Sequence, residues 1–307
     1  MTISRRKLLG LGVGASVVAA TGHWRPLSAG TATRIMTTIP STGEQLPAVG
    51  IGTRDYRSDT DTAEMQRFRQ TLEVFHSSGG RVIDTSPNYG NAETVIGGLL
   101  RDIGIRDDVF MATKVDREDQ QQGIERMNQS FENLGGDQID LMQVHNLRGT
   151  EVELETMKAW KEEGRFRYLG VTTHRPSQYE EMEDVMRRHP LDFIQLNYSL
   201  ADRSAENSIL PLARDRGIAV LVNLPFARGS LFRAVANSSL PSWAAEMDAY
   251  SWGQVFLKYV ISYPAAMLPI PGTTKPHHAR DNMGATSGRL PDDNMRKEIE
   301  KFISPLL

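Results

Sequence analysis

The sequence predicts an α/β fold, a closed (β/α)8 TIM barrel with an N-terminal β-hairpin. Three observations predict it. Short apolar runs alternate with amphipathic helical stretches, an order that argues for parallel strands. Eight strand–helix pairs can be counted, which closes a barrel and leaves no room for a second domain. The length, 307 residues, is ample for one large core.

The elements follow in order. Residues 33–46 read as a hairpin, with an extended run from Arg34 and a turn over Ser41, Thr42, Gly43 and Glu44. Residues 46–53 read as the first barrel strand, ending in Gly50-Ile-Gly-Thr53. Residues 62–78 carry Met65, Phe68, Leu72 and Phe75 at helical spacing, an apolar face for the barrel wall. The second strand ends at Val82, Ile83 and Asp84, and its helix is expected over 93–100. The third strand (109–115) leads to a helix over 120–134, stopped by Gly135-Gly136. The fourth strand (139–146) leads to a helix over 151–163. The fifth strand (167–173) leads to a helix that Ser177 caps and that runs to about Arg188. The sixth strand covers 193–199 with a helix over 207–216. The seventh covers 219–226 with a helix over 252–262. The eighth covers 266–272, followed by helical turns over 276–282 and 292–303. No internal repeat or low-complexity tract stands out.

Composition excludes several functions. A net charge of −3 gives no electrostatic case for nucleic acid or an anionic membrane surface. The absence of cysteine excludes disulfides, thiolate metal sites and a cysteine nucleophile. The N-terminus, Ser4-Arg-Arg-Lys-Leu-Leu-Gly10, reads as a twin-arginine region, and residues 8–20 form an uncharged apolar stretch behind it. That stretch is shorter than the roughly 20 residues of a membrane span and fits a signal sequence. The expectation is a twin-arginine signal peptide over 1–32, either cleaved after Ala32 or nearby or kept as an uncleaved anchor, a protein exported by the twin-arginine machinery to a periplasmic or other extracytoplasmic location, and a barrel domain over 33–307.

The chemistry collects at strand ends. Asp84 ends the second strand, and Tyr89 follows five residues later in the loop Thr85-Ser-Pro-Asn-Tyr-Gly90. Lys114 ends the third strand and His145 the fourth. Singly, each is an ordinary strand-end residue. Together they place a carboxylate, a phenol, an ammonium and an imidazole at the carboxyl face, where parallel barrels build their sites. A phenol, with an ordinary pKa of about 10, is a useful acid near neutral pH only beside a group that favours its anion, and a lysine is such a group.

This set resembles the catalytic tetrad of the aldo-keto reductase family, matched in order by Asp84, Tyr89, Lys114 and His145. The resemblance covers nearly everything after residue 35. It implies NAD(P)H-dependent reduction of an aldehyde or ketone, with Tyr89 as proton donor, Lys114 and Asp84 supporting it, and His145 orienting the carbonyl. The segment from Ile270 to Asn282 resembles the family's grip on the adenosine end of NADP. It implies Thr273 and Thr274 near the 2'-phosphate, His278 or Lys275 adding positive charge, and Asp281 and Asn282 near the adenine. Gly272 stands where many members have a lysine and His278 where many have an arginine, so NAD is an alternative cofactor. The resemblance also implies that Thr53 lies near the cofactor. Thr172, Thr173 and Gln195 match the positions that hold the nicotinamide carboxamide, although the family usually has Asn at the place of Thr173. Leu224 and Phe226 match the segment over the pyrophosphate. Asn223 stands where the family usually has a stacking aromatic, with Tyr198 or Phe226 as candidate replacements. The loops look short, which implies an open pocket with broad tolerance. A monomer is expected. No metal is needed, and His277 and His278 are adjacent rather than at ligand spacing. The altered stacking position keeps a second function open, a nicotinamide-nucleotide sensor or regulatory protein with little turnover. A barrel hydrolase or lyase would need a metal cluster or activated nucleophile, and the sequence offers neither.

Overall fold

The computed structural model describes residues 34–57 and 62–307. The expected signal region and expected cleavage point lie outside the described residues. The chain opens with β1 (Met36–Thr38) and β2 (Gln45–Pro47), paired antiparallel. Gly43 turns the hairpin with a φ of 78°, a left-handed conformation that glycine adopts without a Cβ clash.

Eight parallel strands follow: β3 (Ile51–Gly52), β4 (Val82–Asp84), β5 (Phe110–Val115), β6 (Ile139–Val144), β7 (Phe166–Thr172), β8 (Phe193–Asn197), β9 (Ala219–Asn223) and β10 (Met267–Pro269). Each pairs with its neighbour in chain order. The two ends meet: Gly52 bridges Gly272, and the amides of Gly50 and Gly52 donate to the carbonyls of Pro269 and Pro271 at 2.9 and 3.3 Å. The barrel is thereby closed.

Its first strand is shorter than the sequence suggests. Leu46 and Pro47 belong to the hairpin, opposite Thr37 and Met36. Pro47 has no amide to donate, so it cannot take a full place in a central parallel ladder. What remains is Ile51–Gly52, squeezed in because Gly50 and Gly52 have no side chains. A Cβ at Gly50 would lie 2.9 Å from the Val82 carbonyl oxygen, and one at Gly52 would lie 2.9 Å from that of Ile270.

The helices are α1 (Thr62–Ser77), α2 (Ala92–Ile103), α3 (Gln120–Leu134), α4 (Thr150–Glu162), α5 (Tyr179–Arg188), α6 (Ile209–Asp215), α7 (Ser230–Ala234), α8 (Trp252–Ile261), α9 (Pro276–Gly284) and α10 (Asp293–Ile303). Side chains start three of them: Asp119 accepts from Gln122 N, Ser251 from Gln254 N and Asp292 from Met295 N. The second helix runs three residues past its expected end. Its stop is Gly104, left-handed at φ 79°, whose amide caps the carbonyls of Leu100 and Arg101. Among the described residues no helix is long and apolar enough to cross a membrane.

Two cores sit on either side of the strands. The outer one lies between barrel and helices and includes Phe68, Leu72, Ile96, Met127, Leu154 and Met182. The inner one fills the barrel with Val82, Phe110, Ala112, Leu141, Phe193, Leu221 and Leu268, and the hairpin's Ile39 and Leu46 join it. Side chains on a strand alternate in direction, so inward positions repeat every second residue. Val82 therefore leads to Asp84, Ala112 to Lys114, Leu141 to Gln143, Phe193 to Gln195 and Leu221 to Asn223. The barrel is apolar below and carries a polar layer at its carboxyl end. A cleft of about 600 Å³ opens at the opposite end, beside Phe110, Arg81 and Arg167. There Arg167 is paired with both Glu44 and Asp140. That cleft is separated from the polar layer by the apolar filling.

Candidate active site

Lys114 is the centre of the polar layer. It is 1 % exposed, and its Nζ donates to both oxygens of Asp84 at 2.8 Å and to the Thr85 carbonyl at 2.6 Å. Burial alone would push the ammonium pKa down, but the Asp84 carboxylate and the Tyr89 phenol outweigh it, and the net shift is upward. Asp84 takes two further donors, Nε2 of Gln143 at 3.4 Å and Nε2 of Gln195 at 3.2 Å. The inner face of β6 has room for Gln143 because β7 presents Gly170, whose Cβ would sit 3.2 Å from Gln143 Cγ.

Tyr89 hangs over this pair. Pro87 is well suited to the second position of the turn from Ser86 to Tyr89, which the Tyr89 amide closes on the Ser86 carbonyl at 3.0 Å. Gly90 then leaves the turn at φ 65°. The Tyr89 ring is half-buried, with Lys114 Nζ 5.5 Å from its centroid and the His145 ring edge-on at 6.3 Å. His145 follows the last residue of β6. The chain leaves it through Asn146 and Leu147, at φ 58° and 55°, a strained pair of the kind found at functional sites. Burial, then Lys114, then His174 push the His145 imidazole down to about 3, so it is neutral across the ordinary pH range.

The four strand-end residues are thus brought together. The remaining candidates divide. Gln195 joins the cluster, and its Oε1 is a buried acceptor with no hydrogen-bond partner. Its Nε2 also donates to Asn223 Oδ1 at 2.7 Å. Thr53 is fully buried and donates from both N and Oγ1 to the Asp84 carbonyl, at 3.0 and 2.9 Å. Thr172 Oγ1 accepts from Asn146 N at 3.2 Å. Thr173 is fully buried, donating to Gln178 Oε1 at 2.7 Å and accepting from Arg175 N at 3.0 Å. These threonines brace the rim.

Tyr198 cannot replace the missing stacking ring. It follows Asn197, so it points outward, where it is fully buried beside Tyr259 and bonded to Arg296 and Glu206. Phe226 packs on Phe232 at 4.8 Å and meets Phe256 edge-on at 6.5 Å. The loop after β9 takes left-handed conformations at Leu224, Ala227 and Arg228, with φ between 47° and 52°. It is the start of residues 224–251, a connection that begins three residues earlier than the sequence suggests and contains the short helix α7. Phe232, Trp243, Trp252, Phe256 and Phe302 hold that connection down as a chain of ring contacts.

Across the seam of the barrel, Gly272 is exposed beside Gly52. Tyr56 OH donates to the Thr273 carbonyl at 2.9 Å and ties this segment to the loop after β3. Thr274 is half-buried. Lys275 precedes α9, and Pro276 opens it, which suits a first turn without amide partners. His278 is exposed, and burial, His277 and Lys275 push its pKa down. Asp281 accepts from Ser251 Oγ and Gln254 Nε2, both at 2.8 Å, so it anchors α9 to α8. Asn282 is buried.

The family model described as the Aldo/keto reductase family matches residues 48–303. This chain belongs to the aldo/keto reductase family. Aldo-keto reductase YhdN of Bacillus subtilis is 31% identical over 215 residues, 64% of this chain and 63% of its own length. The NADH-specific methylglyoxal reductase of Escherichia coli is 25% identical over 278 residues, covering 72% of this chain and 83% of its own. An aldo/keto reductase from Klebsiella pneumoniae, solved with NADP and acetate, superposes with a TM-score of 0.71 at 24% identity. It covers 88% of this chain and 95% of its own.

For an aldo/keto reductase the polar layer holds residues that strand ends alone do not announce. Gln143 stands two before His145, Asp116 two after Lys114 and Asn88 one before Tyr89. The period of two was the available signal for Gln143, which shares the inward face of β6. Among the described residues no group of three His, Asp or Glu could hold a metal.

Proposed function

We propose that the chain reduces aldehydes or ketones to alcohols, with Tyr89 as proton donor. Membership of the family makes it an NAD(P)-dependent oxidoreductase. The observation that carries the residue assignment is the buried Asp84–Lys114 pair beneath a half-buried phenol. NAD(P)H, when bound, supplies the hydride. The residues present suit that group. The orphaned Gln195 Oε1 is an acceptor for a carboxamide N–H. Leu224, Ala227 and Arg228, left-handed after β9, belong to the kind of backbone that forms anion-binding turns, which suits pyrophosphate oxygens. The first turn of α9, with Lys275, Thr273 and Thr274, suits a terminal phosphate. An NADP-bound structure among the relatives supports NADP, and an NADH-specific relative keeps NAD open.

Tyr89 OH gives its proton to the carbonyl oxygen as negative charge develops there. Lys114 stabilises the phenolate left behind, and Asp84 holds Lys114 in place. Neutral His145 donates a hydrogen bond to the same oxygen and orients it.

The test is NADPH and NADH titration of residues 33–307, followed by turnover with 4-nitrobenzaldehyde and a panel of other carbonyls. Binding with turnover on several carbonyls is expected. Binding with no turnover on any carbonyl points to the sensor reading, which the absence of a stacking ring at Asn223 favours. Binding of neither nucleotide overturns the proposal. Residues 1–32 are further proposed to direct export through the twin-arginine machinery to the periplasm. Replacing both Arg5 and Arg6 by Lys is expected to retain the protein in the cytoplasm on fractionation; unchanged periplasmic recovery would reject this. The working form is proposed to be a monomer.

A further inference from the structure

Asn88 sits in the turn between Asp84 and Tyr89 and touches three groups. Its two amide ends look alike by shape, but chemistry tells them apart here. Arg126 Nη2, on α3, lies 3.1 Å from Asn88 Oδ1. A guanidinium only donates, so this end is the carbonyl oxygen. Asp116 Oδ2 lies 2.5 Å from Nδ2. A carboxylate accepts, so this end is the amide nitrogen. The two partners agree independently, and both bear charge.

The same Nδ2 lies 3.2 Å from His145 Nδ1. An amide NH2 has only hydrogens to offer, so the ring nitrogen facing it carries none. Ser86 is compatible with this: its Oγ accepts from the Asn88 backbone amide at 3.2 Å, and its hydroxyl can turn its own proton to a bare His145 Nδ1 at 3.3 Å. A neutral imidazole has one proton, and the ring is neutral for the reasons given above. That proton must be on Nε2.

We propose that Asn88, clamped between Asp116 and Arg126, is a positioning residue that fixes His145 as the Nε2–H tautomer. The clamp is built from the strand that carries Lys114. Asp116 follows Lys114 by two, is 7 % exposed, and has its other oxygen on Arg117 Nη1 at 2.5 Å. One strand end thus sets both the cation under Tyr89 and, through Asn88, the donor on His145. The consequence for the reaction rests on the function proposed above, since only the Nε2–H tautomer presents a donor to a carbonyl oxygen. The tautomer itself does not depend on that function.

The experiment uses protein carrying 15N-labelled histidine, read by long-range 1H–15N correlation at neutral pH without cofactor. His145, assigned by loss of its signals in His145→Gln, is expected to show a protonated Nε2 and a bare Nδ1. A proton on Nδ1, or on both nitrogens, overturns the proposal without any Asn88 variant. Asn88→Asp replaces the donor by an acceptor and is expected to move the proton to Nδ1. It is expected to lower kcat by about 100-fold, the scale of losing one donor to a developing oxyanion, with NADPH affinity unchanged. Asn88→Leu removes the donor and is expected to give a mixture of tautomers. An Asn88→Asp protein that folds and keeps the Nε2–H pattern overturns the assignment to Asn88. A wild-type Nε2–H pattern in a protein that reduces no carbonyl leaves the tautomer standing and rejects the function instead.

Discussion

Tyr89→Phe is expected to lower kcat for carbonyl reduction by about 10²–10⁴-fold, the range set by a general acid. The substitution removes one oxygen and keeps the ring. The edge-on contact with His145 and the position over Lys114 are packing features that phenylalanine reproduces. NADPH affinity should therefore stay within about two-fold, and KM for the carbonyl should move less than kcat. The split is diagnostic, because a residue that only shaped the pocket would move KM. Wild-type pH dependence adds a check. His145, pushed down to about 3, does not change charge between pH 5 and 8. No step in kcat with the ordinary midpoint of a histidine is expected in that window from this residue. A steady-state profile with a large loss centred near pH 6.5, absent from a His145→Gln protein, would reject the neutral-imidazole role. Near wild-type turnover by Tyr89→Phe would reject Tyr89 as the donor.

Lys114→Met is expected to cost about 3–5 kcal/mol of stability in addition to activity. The reason is what it leaves behind. Asp84 is 2 % exposed and would remain a buried carboxylate with only the amides of Gln143 and Gln195 beside it. For a domain of this size, about 2–4 °C of Tm per kcal/mol converts that to a fall of roughly 10 °C. The double substitution Asp84→Asn with Lys114→Met should recover much of the loss, since it removes the charge along with its partner. Thermal unfolding of the two variants decides. Equal loss in single and double variants would mean that packing of the lysine stem dominates. A loss under about 1 kcal/mol would mean the pair behaves like a surface ion pair, contrary to its burial.

Much of the site was legible in the chain because strand side chains alternate strictly. Once Asp84, Lys114 and His145 are placed at successive strand ends, a parallel barrel has to gather them. The same alternation explains the error over Tyr198: one residue beyond Asn197, it belongs to the outer face. The first barrel strand was misjudged for a different reason. An apolar run through Pro47 looks continuous, and only the closure of the barrel shows that Gly50 and Gly52 alone fit between β4 and β10. The gap before Trp252 was visible in the chain, but the order of residues 224–251 was not, because it comes from aromatic contacts between segments far apart in sequence, such as Trp252 with Phe302.

The sequence by itself determined the barrel, through local periodicity, and put four polar residues at or just after three strand ends, a short-range pattern that resembles the family's. It also puts Asn223 at the position where the resemblance leads one to expect an aromatic. Only the tertiary structure decided what Asn223 does instead, accepting from Gln195. Only it decided that two glutamine amides converge on Asp84, and that Asn88 lies between an arginine and a carboxylate with His145 beyond. Hydrogen bonds between separate strands and loops reach a few ångströms in space, and no spacing along the chain encodes which donor will meet which acceptor.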